Sequence, residues 1–100
     1  VEVLTEPNSD FYSNHWLSAI LLQSYEQREA LRLAFEAENI ETRPLWKPMH
    51  LQPVFQNAPY YGEKVSESLF EKGLCLPSGS NLTDSDRARI SNVIANFFTI

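Results

Sequence analysis

Residues 43–53, RPLWKPMHLQP, contain the side chains of this chain that are best suited to binding a ligand. Arg43 can hold a carboxylate or a phosphate through two parallel hydrogen bonds, and Trp46 offers a flat apolar face for stacking on a sugar or a base. Lys47 adds a flexible cation, and His50 can donate or accept a hydrogen bond near neutral pH.

Three prolines in eleven residues exclude a regular helix or a central strand. They also stiffen the segment, which lowers the entropy cost of binding. These residues, called the proline segment below, are therefore the first candidate for a binding loop.

A structural interpretation of the proline segment stays open beside the binding one. Trp46, Met49 and Leu51 can plug the end of a sheet as apolar side chains. In that case Arg43 and Lys47 extend into water and bind nothing. Residue types alone do not choose between the two interpretations.

No other motif in the sequence is typical of catalysis or of a metal site. LPSGS contains Ser78 and Ser80 but lacks the G-x-S-x-G elbow of a serine nucleophile, so it predicts a turn. Such a turn could still present backbone N–H groups to an anion. His15 and His50 are the only histidines, and neither has cysteines or carboxylates at ligand spacing, so no metal is expected. The three glycines do not have the spacing of a phosphate loop.

Length and composition predict one small globular domain. One hundred residues with 43% hydrophobic content are enough to bury a single core. The net charge is −5 and there is no cluster of basic residues. This charge argues against nucleic acid as a partner, an RNA-binding α+β domain included, and against an anionic membrane surface.

The single cysteine and the first residue indicate the cellular compartment of the chain and its relation to a longer protein. Cys75 is the only cysteine, which excludes an internal disulfide, and its context GLCLP predicts a buried thiol in a reducing cytoplasm. No apolar run is long enough for a transmembrane helix, and no signal-peptide pattern is present. The sequence begins at Val1 rather than at a methionine, which suggests a piece of a longer protein.

Periodicity and capping residues predict the elements that would position the proline segment. Ser24, with Gln27 as its capping-box partner, predicts the start of one helix, and Thr83 predicts the start of another. Pro44 lacks a hydrogen-bond donor and confines its strand to the edge of a sheet. The predicted strands lie at 1–6 (half-buried), 15–22, 40–46 and 74–77, and the predicted helices lie at 25–39, at 63–73 and from 84 onward. The first two strands are expected to form an antiparallel hairpin. This order implies one small sheet covered by helices, an α+β or split α/β layer.

Helical spacing predicts which side chains face the core. The inward positions are Leu31, Ala34 and Phe35 in the first helix, Val65, Leu69 and Phe70 in the second, and Ile90, Val93, Ile94 and Phe97 in the third. The positions predicted to lie in or near water are Arg28, Arg32, Glu36 and Glu38. Asn39 is expected to end the first helix in a left-handed conformation, and Gly73 is expected to cap the second.

Two tracts of the sequence resemble a known family. NIETRPLWKPMHLQPVF, followed by SLFEKGLCLPSGSNLTDSDRARISNVI, closely resembles the C-terminal domain of the DegT/DnrJ/StrS family of pyridoxal-phosphate-dependent nucleotide-sugar aminotransferases. The resemblance covers essentially all 100 residues. Many members of the family carry a His-Tyr pair where this chain has Leu45 and Trp46. With Leu45 and Trp46 at these positions, the chain resembles the subgroup of the family that makes bacillosamine-type sugars.

The resemblance implies a fold and a role. The fold would be α+β, a small and mostly antiparallel sheet covered by about three helices, like the C-terminal small domain of fold-type-I aminotransferases. Residues 1–100 would be that domain, and a large domain elsewhere would bind the pyridoxal phosphate. The full enzyme, a cytoplasmic homodimer, would transfer an amino group from glutamate to a UDP-linked 4-keto-6-deoxy sugar in bacterial surface-glycan biosynthesis.

The resemblance also implies how the work is divided between the two domains. The lysine that forms the Schiff base has no counterpart here, since Lys47, Lys64 and Lys72 stand in the wrong context. This chain would therefore hold no catalytic residue and would be inactive alone. Its substrate-binding residues would be Arg43, Trp46, Lys47 and His50. The alternative is a non-catalytic binding or interaction module that retains the fold.

Overall fold

The fold is a four-stranded antiparallel sheet with three helices, seen in a computed structural model that describes residues 1–99. The strands are β1 (Glu2–Val3), β2 (Ser18–Leu21), β3 (Arg43–Pro44) and β4 (Gly73–Leu76), and the helices are α1 (Tyr25–Ala37), α2 (Val65–Lys72) and α3 (Asp84–Phe98). Two single turns of 3-10 helix, Met49–Leu51 and Pro53–Phe55, lie between β3 and α2. The predicted order of strands and helices and the predicted α+β class are confirmed.

β2 and β4 form the centre of the sheet, and two short strands form its edges. The spatial order is β1-β2-β4-β3, and Ile20 pairs with Leu74 across the central pair. Pro44 lies in the outer strand β3, as its missing N–H predicts. The hairpin of β1 and β2 is also confirmed. The predicted half-burial of residues 1–6 is wrong: all six are exposed, because the helices pack mainly on β3 and β4.

The core lies between α1, α3 and the two central strands. Leu31, Phe35 and Leu74 have no exposed surface, and Ile20 and Val93 are 5% and 9% exposed. The predicted inward faces of α1 and α3 are confirmed, because the remaining members, Ala34, Ile90, Ile94 and Phe97, pack partly buried against this cluster. The α1–α3 pair therefore holds the sheet that carries β3 and the proline segment.

Arg28 was expected near water, and that expectation is wrong. The residue is 4% exposed, and its Nη1 donates a 2.6 Å hydrogen bond to the carbonyl oxygen of Phe70. Its guanidinium carbon lies 4.7 Å from the centre of the Tyr25 ring and 5.7 Å from that of the Phe70 ring. Because α2 packs on α1, it covers a face that the spacing along α1 assigns to solvent. Arg28 thus links the two helices.

The start of α2 differs from the prediction, whereas its end agrees with it. Val65 was placed on the inward face, but it is the first residue of the helix and is 62% exposed. Gly73 caps the end of the helix, as predicted: its N–H donates to the carbonyl oxygen of Leu69, and its backbone is extended, with φ −88°. A Cβ at this position would lie 2.3 Å from Cδ1 of Leu45 and 2.5 Å from the carbonyl oxygen of Leu69. Close packing of β3 and α2 against β4 is what requires the glycine.

The helix ends follow their capping residues. Asn39 adopts φ 59° after α1, which confirms its left-handed conformation. Ser24 caps α1 by accepting from the N–H of Gln27, but the Gln27 side chain accepts from the N–H of Gln23 rather than from that of Ser24. The predicted capping box is therefore only half formed at α1. At α3, Thr83 forms a complete box.

The capping box of α3 should make stability depend on pH. The pKa of Asp86 lies below its usual value of 3.8, because the backbone N–H of Thr83 donates to the carboxylate. A carboxylate whose pKa is lower in the folded chain than in the unfolded chain stabilises the fold at pH values above the unfolded pKa. That contribution is lost as the pH falls through the pKa of the folded chain. Asp86→Asn should therefore be less stable than the native chain at neutral pH, and the difference should shrink below about pH 3.8. Urea unfolding over this pH range measures it, with the exposed Glu63→Gln as control. A difference that stays constant with pH would contradict the assignment.

Candidate functional site

The proline segment and the residues that follow it project from the fold. Between residues 46 and 64, every residue except Pro48, His50 and Gln52 is exposed. Trp46 and Met49 are 65% and 61% exposed. Trp46, Met49 and Leu51, which are all exposed, therefore do not plug the end of the sheet, and the binding interpretation stays a prediction.

An open groove of about 820 Å³ lies beside β3. Its lining comes from residues 16–17 ahead of β2, from residues 41–46 around β3, and from residues 75–79 at the end of β4. Most of these side chains are apolar, with a few polar groups among them. This volume and lining are typical of a site for a small organic ligand.

Trp16 and Trp46 form an aromatic pair at the groove. Their ring centres are 5.7 Å apart with a tilt of 39°, and Trp16 is 69% exposed. Sequence reasoning selected Trp46 but missed Trp16, because the run HWLSAILL predicted a buried strand from residue 15. The strand begins only at Ser18, so Trp16 stands ahead of it and is free to meet Trp46. Two exposed indoles side by side offer a stacking surface for a flat or ring-shaped ligand.

Arg43 lies in the groove beside an acidic neighbour. Its Nε donates a 2.6 Å hydrogen bond to Glu41, and the Arg43 side chain is 79% exposed. The terminal nitrogens of the guanidinium are the part that remains to meet an anionic ligand. Glu41 offsets part of the charge of Arg43. The N–H groups on the terminal nitrogens of the guanidinium remain to donate hydrogen bonds to a ligand. Glu41 was not among the residues selected from the sequence, because no motif marks it.

The polar groups at the end of β4 are mostly structural. The Ser78 hydroxyl accepts from the N–H of Ser18 at 2.8 Å and donates to the carbonyl oxygen of Leu76 at 2.7 Å, so it ties β2 to β4. Cys75 is 9% exposed, which confirms the predicted buried thiol, and burial raises its pKa.

Thr42, just ahead of β3, also lines the groove. Its hydroxyl is buried and has no hydrogen-bond partner among the described residues.

Two of the four predicted binding residues lie away from the groove. Lys47 is exposed, and its carbonyl oxygen accepts from the Gln52 side chain. His50 belongs to a separate cluster: its Nε2 lies 2.6 Å from an Oε1 of Glu67, and its ring centre lies 4.0 Å from that of Tyr60. The structure thus brings Arg43 and Trp46 together and separates them from His50, because the 3-10 turn at Met49–Leu51 redirects the chain.

The described residues do not supply a site for a metal ion or for a cofactor aldehyde. Within residues 1–99 no three His, Cys, Asp or Glu side chains are grouped for metal binding. The lysines of the sequence, Lys47, Lys64 and Lys72, all lie outside the lining of the groove. Over the same residues, none of the helices is both long and apolar enough to cross a membrane.

The tryptophan pair should have a spectroscopic signature. Trp16 and Trp46 are the only tryptophans, and two indoles at 5.7 Å should couple and give an exciton couplet in the far-ultraviolet circular dichroism. Either Trp16→Phe or Trp46→Phe should abolish the couplet while leaving the helical signal unchanged. Phe11→Leu, which alters an exposed aromatic residue outside the pair, is the control. A couplet that survives in both tryptophan variants would show that the rings do not pair in solution.

Comparisons with known proteins agree with this architecture. The profile of the DegT/DnrJ/EryC1/StrS aminotransferase family matches residues 1–95. EpsN of Bacillus subtilis (strain 168), named as a pyridoxal phosphate-dependent aminotransferase, is 41% identical over 90 aligned positions, covering 86% of this chain and 23% of EpsN. GDP-perosamine synthase of Vibrio cholerae is 35% identical over 101 aligned positions, covering 98% of this chain and 27% of the synthase.

A solved structure shows the same fold. The crystal structure of a DegT DnrJ EryC1 StrS aminotransferase from Brucella abortus aligns with a TM-score of 0.71 and 32% identity, over 84% of this chain and 22% of that one. The chain thus spans about a quarter of the length of the relatives that it matches. With a family profile that matches nearly its whole length and a fold that agrees, the chain belongs to the DegT/DnrJ/EryC1/StrS aminotransferase family.

Proposed function

We propose that this chain is the C-terminal small domain of a pyridoxal-phosphate-dependent aminotransferase that acts on a nucleotide-linked keto sugar. The observation that carries the proposal is the groove, in which two exposed tryptophans and Arg43 stand together on a domain of this family. Stacking and charge-assisted hydrogen bonds are the contacts that a sugar joined to a diphosphate needs. The domain would form one wall of the active-site cleft.

The substrate in this proposal is a UDP-linked 4-keto-6-deoxy-N-acetylhexosamine, with glutamate as amino donor, as in the bacillosamine-type subgroup. Relatives named as GDP-perosamine synthases support a nucleotide sugar as the class of substrate. Their name also makes a GDP-linked sugar the natural comparison in any assay. The proposed setting is bacterial surface-glycan biosynthesis in the cytoplasm, where the free thiol of Cys75 would stay reduced.

The cofactor in this proposal belongs to the rest of the enzyme. When bound, pyridoxal phosphate supplies an electron sink for amino-group transfer. No lysine lines the groove of this chain, so its residues do not fit the role of holding the cofactor. Their proposed work is to bind and orient the substrate and to exclude water from one side of the cleft. The full enzyme is proposed to be a homodimer, with this domain packed on its own large domain.

Substrate contact at the groove can be tested by kinetics of the full-length enzyme. Trp46→Ala and Arg43→Ala should each raise KM for the nucleotide sugar by about 10-fold, since stacking and charged hydrogen bonds each contribute more than about 1 kcal/mol. KM for glutamate should change little. Val54→Ala, whose side chain is exposed but lies outside the groove lining, is the control and should leave both constants unchanged. Unchanged kinetics in both groove variants would contradict the assignment of the groove to the substrate.

A further inference from the structure

One side-chain hydrogen bond ties the exposed segment 46–64 to the rest of the fold. Within residues 1–99, the contact between His50 and Glu67 is the one side-chain hydrogen bond that joins this segment to a helix or strand outside it. The Gln52 side chain bonds only within the segment, to Lys47 and Met49. The His50–Glu67 pair is therefore the side-chain hydrogen bond that can hold the middle of the segment against α2.

The His50–Glu67 pair is short and largely shielded from water. The two atoms are 2.6 Å apart, and the side chains are only 18% and 24% exposed. The Tyr60 ring lies against the imidazole at 4.0 Å between ring centres, tilted by 31°. Carboxylate and tyrosine together fix the plane of the imidazole and its rotation.

The partner of Nε2 determines what His50 can do. A carboxylate accepts hydrogen bonds and does not donate them, so Nε2 must carry the hydrogen of this bond. Neutral imidazole is thereby held as the Nε2–H tautomer, and Nδ1 is the ring nitrogen that remains for another contact. A charged ring would likewise present Nδ1–H.

We propose that Glu67 is a positioning residue for His50. It holds the imidazole in one tautomer and one orientation, with Nδ1 as the ring nitrogen left for another contact, and it keeps the proline segment, which carries Trp46, in place against α2. The effect on turnover rests on the proposed function, whereas the tautomer and the tether do not. Nothing in the local sequence predicts this pair, since the two residues are 17 positions apart.

The tautomer can be read directly by NMR. His15 and His50 are the only histidines, so 15N-histidine labelling of the 100-residue chain gives two imidazole spectra, which His15→Gln assigns. His50 should show the Nε2–H pattern, and Glu67→Leu should convert it to a mixture of tautomers. Glu67→Gln retains an acceptor oxygen and should restore the native pattern. Glu71→Gln, which changes an exposed acid of the same helix, is the control.

The tether is tested separately by hydrogen exchange in the full-length enzyme. Peptides covering residues 48–58, whose turns hold five backbone hydrogen bonds, should exchange faster in Glu67→Leu but not in Glu71→Gln. If either the His50 spectrum or the exchange rates of these peptides stayed unchanged in Glu67→Leu, the proposal would be overturned. Either readout works without substrate.

Kinetics then connect the pair to the proposed function. Glu67→Leu should lower kcat/KM for the keto sugar by about 10- to 100-fold, because a loosened proline segment displaces Trp46, which lines the groove, and misaligns the substrate. Glu67→Gln should recover most of the lost activity. Full activity of Glu67→Leu in an enzyme with an altered His50 spectrum would overturn the positioning role alone. Absence of aminotransferase activity in the native enzyme would instead overturn the proposed function and leave the NMR result standing.

Discussion

Replacing Phe35 with alanine is expected to lower the free energy of unfolding of the chain by about 3–5 kcal/mol. Phe35 has no exposed surface and lies in the core between α1, α3 and the central strands. Deleting its ring removes buried apolar surface and leaves a cavity that the short sheet cannot close. A loss of this size is a large part of the stability of a small domain. Urea unfolding followed by circular dichroism measures it.

Leu33→Ala is the matched control for Phe35. Leu33 is in the same helix but is 53% exposed, so its truncation should change stability by no more than about 0.5 kcal/mol. Comparable losses in the two variants would contradict the core described above. A loss confined to Phe35→Ala would confirm that α1 is held by its inward face.

Gly73→Ala is expected to destabilise the chain by about 1–3 kcal/mol and to disturb the groove. The new methyl group would lie 2.5 Å from the carbonyl oxygen of Leu69, which is backbone and cannot rotate away, and 2.3 Å from Cδ1 of Leu45. Leu45 lines the groove next to Trp46, so its displacement should weaken the exciton couplet of the tryptophan pair. The extended backbone of Gly73 suits alanine, so the effect is steric and not conformational.

Gly79→Ala separates crowding from the mere presence of a methyl group. Its Cβ would meet Oδ1 of Asn81 at 2.6 Å, but that atom is the end of an exposed, flexible side chain that can move. Stability and the couplet should stay close to those of the native chain. If Gly73→Ala behaved like Gly79→Ala, the close approach of α2 and β3 to β4 would be wrong.

Features with a local cause were predictable from the sequence. Pro44 lies in an edge strand because it lacks a donor, and Asn39 ends α1 because it tolerates a positive φ. Thr83 starts α3 because its hydroxyl satisfies a free N–H. Phe35 and Val93 face the core because helical spacing alone places them there.

Features with a distant cause were not predictable in the same way. Arg28 is buried by a helix that begins almost forty residues later, and no property of α1 reveals that cover. Trp16 meets Trp46 only because β2 and β3 lie on either side of β4. His50 was selected for its chemistry, but its partner Glu67 comes from another helix. Of the four predicted site residues, Arg43 and Trp46 therefore line the groove, His50 belongs to the tether, and Lys47 is exposed outside both.

The measurement that tests the central claim most directly uses the full-length enzyme loaded with pyridoxal phosphate. Addition of L-glutamate should shift the absorbance of the cofactor to that of its amine form. Addition of a UDP-linked 4-keto-6-deoxy-N-acetylhexosamine should then reverse the shift, and a GDP-linked keto sugar should reverse it less well. No shift with glutamate, or no reversal by either keto sugar, would contradict a sugar aminotransferase and favour a non-catalytic binding module that retains the fold.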